Sequence, residues 1–218
     1  MSDVRLTRGE RRKQRTETSI LDAAEDCFTK HGFHGVTVEE IAEAADVAVG
    51  SIYVHFKSKE GLYLALIERA FEIEESYMTD VLDDALAPTE QLLAAGDAYL
   101  RFYLDHPGYF RMLVFPHLDA RPPDDDLPDA ARHLAARAEE QVGRIAAVIE
   151  RGIATGVARA VDPYRAAKFL WGAWNGVIAL NLRPDRLKLP DDELAAVLEE
   201  GRRMIVEGLA LAPAGSTS

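Results

Sequence analysis

Apolar residues along the first third of the chain recur at helical spacing. Ile20, Ala23, Ala24, Cys27 and Phe28 stand three and four apart, which predicts an amphipathic helix from about Arg8 to Lys30. His31-Gly32 ends it, because glycine accepts the left-handed conformation that closes a helix. Thr37-Val-Glu-Glu40 has the form of a capping box and opens a short helix with Ile41, Ala42 and Ala45 on its inner face. A turn at Asp46-Val47-Ala48 leads into a second short helix, Val49 to Phe56. Ser58 then caps a longer helix carrying Leu62, Leu64, Leu66, Ile67, Ala70 and Phe71. No proline precedes Pro88, so nothing interrupts these elements.

The remainder also reads as helix, with no period-2 strand. One helix covers Thr89 to Asp105 and breaks at His106-Pro107-Gly108; another runs from Tyr109 to about Phe115. An acidic, proline-rich loop spans Asp119 to Pro128. A long amphipathic helix then carries Leu134, Ala138, Val142, Ile145 and Ile149 and ends near Gly156. Asp162-Pro163 pairs an N-cap with a proline at the first helical position and opens a helix to Leu182. Pro190 opens the last one, and the tail APAGSTS carries no pattern. The expected fold is all-α: a three-helix head over residues 1–57 and a body of about six helices over 58–218.

Two short helices across a tight turn, with Ala42 and Ala45 at their closest approach and Val47, Ile52 and Phe56 filling the gap, describe a helix-turn-helix. The run TVEEIAEAADVAVGSIYVHFKSKEGL resembles the signature of the TetR family of bacterial transcription regulators, in which a threonine opens the second helix and Tyr-x-His-Phe ends the third. The likeness extends over residues 16–68. It implies a head that binds double-stranded DNA, a body that binds a small ligand, and a homodimer. A recognition helix meets base edges through its amino-terminal residues. Those are Val49, Gly50 and Ser51, with Val54 one turn on. Gly50 permits close approach, Ser51 can hydrogen-bond a base, and the two valines can only meet apolar groups such as a thymine methyl. With no Arg, Asn or Gln offered to a base, the basic amino-terminal arm or DNA shape must add discrimination. By resemblance, Thr37, Tyr53, His55 and Lys59 take phosphate contacts. Ala48 stands where the family often has serine or threonine and Asp46 where it often has glycine. The first substitution removes an N-cap hydroxyl and weakens Ala48 as a phosphate contact.

Aromatic residues gather in the expected body. Phe102, Tyr103, Phe110, Phe115, Trp171 and Trp174 are the candidate lining of a pocket for a small apolar or amphipathic ligand, with Asn175, Asn181 and His117 as polar contacts. FLWGAWNGVIAL resembles the carboxy-terminal domain of one TetR subgroup, where Trp-His-Gly often stands; Asn175 replaces the histidine and argues against acid–base or metal chemistry there. Gly172, Ala173 and Gly176 make a flat strip, and Leu194, Val197, Leu198, Met204, Ile205 and Leu209 a 3-4 stripe. By resemblance these last two helices pair with their symmetry mates in a four-helix bundle. That pairing would set the recognition helices about 34–36 Å apart, one turn of DNA.

Charge alters this picture only in its distribution. The net charge of −12 is wrong for a DNA-binding surface. Residues 1–16, however, hold six cations (Arg5, Arg8, Arg11, Arg12, Lys13, Arg15) against Asp3 and Glu10. Most of the acid lies beyond residue 60. A single cysteine rules out an intramolecular disulfide and suits a reducing cytoplasm. The polar start MSDVRLTRGERRKQR predicts no secretory signal, and no run of about 18 apolar residues predicts a membrane span. Nucleophile motifs, glycine-rich phosphate loops and paired metal ligands are missing, so neither an enzyme nor a bound cofactor or metal is expected. Control of transcription is expected as repression relieved by an apolar effector, or as activation on the same fold.

Overall fold

The structure is a computed structural model that describes residues 7–79, 81, 86–115 and 129–209. Arg5, His117, the Asp119–Pro128 loop with its aspartates, and the tail lie outside the described residues. Among those described, nine helices occur: α1 (Arg8–His31), α2 (Val38–Ala44), α3 (Val49–Phe56), α4 (Lys59–Met78), α5 (Pro88–Asp105), α6 (Pro107–Val114), α7 (Asp129–Ala154), α8 (Pro163–Asn181) and α9 (Asp191–Leu209). No helix among them is long and apolar enough to cross a membrane.

Their ends follow local chemistry. Thr37 Oγ1 accepts from Glu40 N–H while Glu40 Oε2 accepts from Thr37 N–H at 2.7 Å, a complete capping box. A second box, Thr7 with Glu10, starts α1, so the cations from Arg8 to Arg15 stand on its first turns, as the predicted start near Arg8 requires. Gly32 closes α1 at φ 73°, its N–H donating to Phe28 O. Asp162 accepts from Arg165 N–H with Pro163 in the first turn of α8, and Ser58 Oγ accepts from Gly61 N–H in α4.

The described residues divide into two compact units. The first comprises residues 7–72, 106–115 and 129–134. Ile20, Ala24, Phe28, Ile41, Ile52 and Leu62 form its core, with Phe28, Phe33 and Tyr63 in mutual ring contact at 5.1–5.6 Å. Ser19 Oγ donates to Ala45 O at 3.0 Å and ties α1 to α2. Asp46 takes the left-handed conformation (φ 54°) in the turn, and Val47 N–H closes it on Ala42 O. Cys27 is half-buried, and that burial raises its thiol pKa.

The division differs from the single boundary after residue 57 read in the sequence. α6 packs on α1, because Gly108 leaves room for Thr29, whose Oγ1 would stand 2.6 Å from a Cβ added there. Tyr109, Phe110 and Met112 are then buried, and Arg69 Nη1 of α4 meets Asp22 Oδ1 of α1 at 2.6 Å.

The second unit comprises residues 73–79, 81, 86–105 and 135–209. Val142, Ile149 and Ala167 form one core cluster and Met78, Ala95 and Ala98 another, with Ile145 packed against both. Gly96 lets the Trp174 indole lie against α5, where a Cβ would meet it at 3.0 Å, and Trp174 Nε1 donates to Gly96 O at 3.3 Å. Leu194 and Leu198 of α9 are buried within this unit, whereas Val197 and Met204 are exposed. The expected stripe of α9 therefore splits: one edge packs within its own chain and the other stays bare.

Candidate nucleic-acid interface and apolar cavity

α3 is held by its inner face, where Ile52 and Phe56 are buried. The opposite side is bare. Tyr53 is 47 % exposed, Val54 69 %, and a Cβ at Gly50 would meet nothing within 4 Å. Val49 and Ser51 are half-buried at its amino end. Ala48, in extended conformation, is exposed and supplies no cap hydrogen bond, so the first turn of α3 presents amide N–H groups without a side-chain acceptor. An Ala48→Ser variant should therefore gain about 1 kcal/mol of stability, read as a raised thermal midpoint. An unchanged midpoint would show that solvent already satisfies those amides.

The expected phosphate contacts separate. Tyr53 is exposed beside Val54. Lys59 is half-buried in the first turn of α4, its ammonium 4.5 Å from the Phe33 ring centroid, which holds the charge beside an aromatic face. Thr37 is exposed, but its hydroxyl donates to Glu40 Oε2 at 2.9 Å, so a phosphate would have to compete with that carboxylate. His55 departs furthest from expectation. Its side chain is only 8 % exposed, tilts against Phe56, and keeps Nδ1 3.7 Å from Glu17 Oε2 without a hydrogen bond. The geometry gives His55 a packing role between α3 and α1. Arg8, Arg11, Arg12, Lys13 and Arg15 are exposed over the first two turns of α1.

The second unit holds a partly open apolar cavity of about 90 Å³ lined by residues of α4, α5, α7, α8 and α9. Met78, Leu92, Ile145, Leu170, Trp171 and Trp174 supply its walls. Of the expected pocket residues, this brings together Trp171 and Trp174. Asn175 is buried and accepts a hydrogen bond from Tyr99 OH at 2.7 Å. Phe102 packs against Tyr77 and Tyr99 beyond the lining, and Tyr103 OH donates to buried Asn181. Phe110 and Phe115 belong to the other unit, the first in its core and the second exposed.

Sequence reading missed the polar end of this cavity. Glu74, only 3 % exposed, lines it beside Gln141 and Tyr99. Gln141 Nε2 donates to its carboxylate, while Arg137 and Arg144 both pair with the neighbouring Glu75, at 2.9 and 3.1 Å. Burial pushes the Glu74 pKa from 4.5 up to about 7, with Arg144 opposing. A carboxyl so raised contributes stability below its unfolded value of 4.5 and loses it as pH rises through about 7. At one pKa unit per 1.36 kcal/mol, roughly 3 kcal/mol is at stake. Glu74→Gln should thus be more stable than the parent at pH 8 and lose that advantage by pH 5. Parallel denaturant-unfolding profiles across that range would contradict the assignment.

Comparison with known proteins agrees with this arrangement. Residues 20–66 match the family model for bacterial regulatory proteins of the tetR family, and residues 92–204 that for the tetracyclin repressor-like C-terminal domain. The HTH-type transcriptional regulator RutR of Escherichia coli K12 is 30% identical over 159 residues, covering 71% of this chain and 70% of that protein. The HTH-type transcriptional repressor DhaR of Mycobacterium sp. GP1 is 28% identical over 187 residues, 83% of this chain and 89% of that one. The crystal structure of FadR from Bacillus subtilis, in complex with stearoyl-CoA, superposes with a TM-score of 0.70 at 20% identity, over 88% of this chain and 98% of that one. A helix-turn-helix whose second helix has a bare outer side and a helical unit with an apolar cavity thus occur in one chain, which belongs to the TetR family of DNA-binding transcription regulators.

Proposed function

We propose that the protein represses transcription as a homodimer on a palindromic operator and is released by an apolar or amphipathic effector bound in the second unit. The observation that carries this reading is the bare face of α3. A helix packed through Ile52 and Phe56, with Gly50, Tyr53 and Val54 turned to solvent, can enter a major groove without rearranging the head. The exposed cations of α1 supply phosphate attraction in a chain of net charge −12.

Two further features support the dimer and the effector. On α8, Phe169 is 69 % exposed, and open space faces Gly172 and Gly176; on α9, Val197 and Met204 are exposed. An apolar strip with small residues suits close two-fold packing of helices. The cavity meets α4 through Glu74 and Met78, and α4 also contributes residues to the first unit. An occupant that shifts this helix would favour one head arrangement over another, which is how a ligand changes DNA affinity. FadR, with stearoyl-CoA in its complex, is a precedent for a ligand in this fold.

The test is selection of bound sequences from randomised duplexes, followed by titration of the enriched duplex at several salt concentrations. A two-fold symmetric site whose affinity falls steeply with salt supports the reading. No enrichment above a scrambled duplex would refute it.

A further inference from the structure

Resting on the cavity as the effector site, the geometry points to an effector with an apolar body and a protonated amine head, accepted by Glu74. In a largely apolar wall that also carries Tyr99 and Gln141, the charged residues that line the cavity are Glu74 and Arg202. They are not equally available. Arg202 Nη1 already meets Asp97 at 2.7 Å and Glu199 at 3.2 Å, so an acid entering there, even at the buried Nε that has no hydrogen-bond partner, would come up against two carboxylates. Glu74 instead accepts a hydrogen bond from the neutral amide of Gln141, while the nearby Arg144 and Arg137 make their ion pairs with Glu75.

The groups facing Glu74 are Glu75 on its own helix, Arg137, Gln141 and Arg144 on α7, and Tyr99 on α5. Both guanidinium groups direct their ion pairs to Glu75. A carboxylate head at this end would therefore meet two carboxylates, Glu74 and Glu75, the second of them already paired with both guanidinium groups. An ammonium would gain a charge-assisted hydrogen bond to the buried Glu74 carboxylate, while its alkyl or aryl body covers Leu92, Ile145 and the two indoles. Because a buried carboxyl near neutrality can hold its proton when the site is empty, the vacant cavity need not bury an unpaired charge.

The chain's two tryptophans, Trp171 and Trp174, both line this cavity, so intrinsic fluorescence reports on it directly. Octylamine, octan-1-ol and octanoate differ only in their heads and serve as probes on the full-length protein at pH 8. The expected order is amine tightest and carboxylate weakest, with Glu74→Gln weakening octylamine at least about 30-fold and octan-1-ol by less than about threefold. Should that variant fail to fold, the parent protein still decides. Octylamine affinity should rise between pH 6 and pH 8, where the amine stays protonated and Glu74 ionises, while octan-1-ol affinity stays flat. Octanoate binding as tightly as the amine, a flat amine profile, or an unaffected Glu74→Gln overturns the choice of head and leaves the cavity reading intact. Failure of all three probes to change the fluorescence overturns both.

Discussion

Replacing Gly50 with glutamate should abolish operator binding while raising the thermal stability of the head. Gly50 lies in the first turn of α3, is exposed, and has open space where its side chain would be. A helix with glutamate in place of glycine is favoured by roughly 0.5–1 kcal/mol, and an acid near a helix amino terminus adds a few tenths more. The same carboxylate would be carried into a groove lined by phosphates and would fill the space needed for close approach. A lost or repelled contact costs about 1–3 kcal/mol at each half-site, and a two-fold dimer counts it twice. The loss expected is on the order of 10³-fold for the selected operator. Opposite movements of thermal midpoint and affinity distinguish this outcome from simple unfolding. Retained operator affinity in Gly50→Glu would remove α3 as the reading helix.

The second large effect is expected from the bare strip on α8 and α9. Phe169 and Met204 are 69 % and 64 % exposed, and neither contributes to the buried core of its own unit. A double variant, Phe169→Glu with Met204→Glu, should leave the secondary structure intact, since both positions already face solvent. If these residues pair two copies of the chain, four buried carboxylates would oppose that contact, and sedimentation should report a monomer. Operator affinity should then fall by about 10²–10⁴-fold, because two linked half-site contacts become independent ones. A dimer of unchanged mass would move the interface elsewhere.

Where sequence reading worked, the cause was local. Thr37, Ser58 and Asp162 bond backbone groups three residues away, and Gly32 adopts the positive φ that ends α1, so helix starts and stops are written in short stretches. The box at Thr7 and Glu10 has the same Thr-x-x-Glu form and sets the start of α1 at Arg8, where the spacing of apolar residues places it. His55 shows the limit of a motif: its spacing marks the family, yet the closeness of Glu17 and Phe56 depends on how α1 packs against α3.

By itself the sequence determined the all-helical character and the helix-turn-helix. Periodicity, caps and turns act over three or four residues and need no distant partner. Tertiary structure alone decided that α6 joins the first unit, that Leu194 and Leu198 pack inward while Met204 does not, and that Trp171 and Trp174 share a cavity with Glu74. Glu74 and Trp174 are a hundred residues apart in the chain, and no local pattern encodes their meeting. It follows from five helices packing together, with Gly96 of α5 letting the Trp174 indole lie close and Glu74 buried at the polar end.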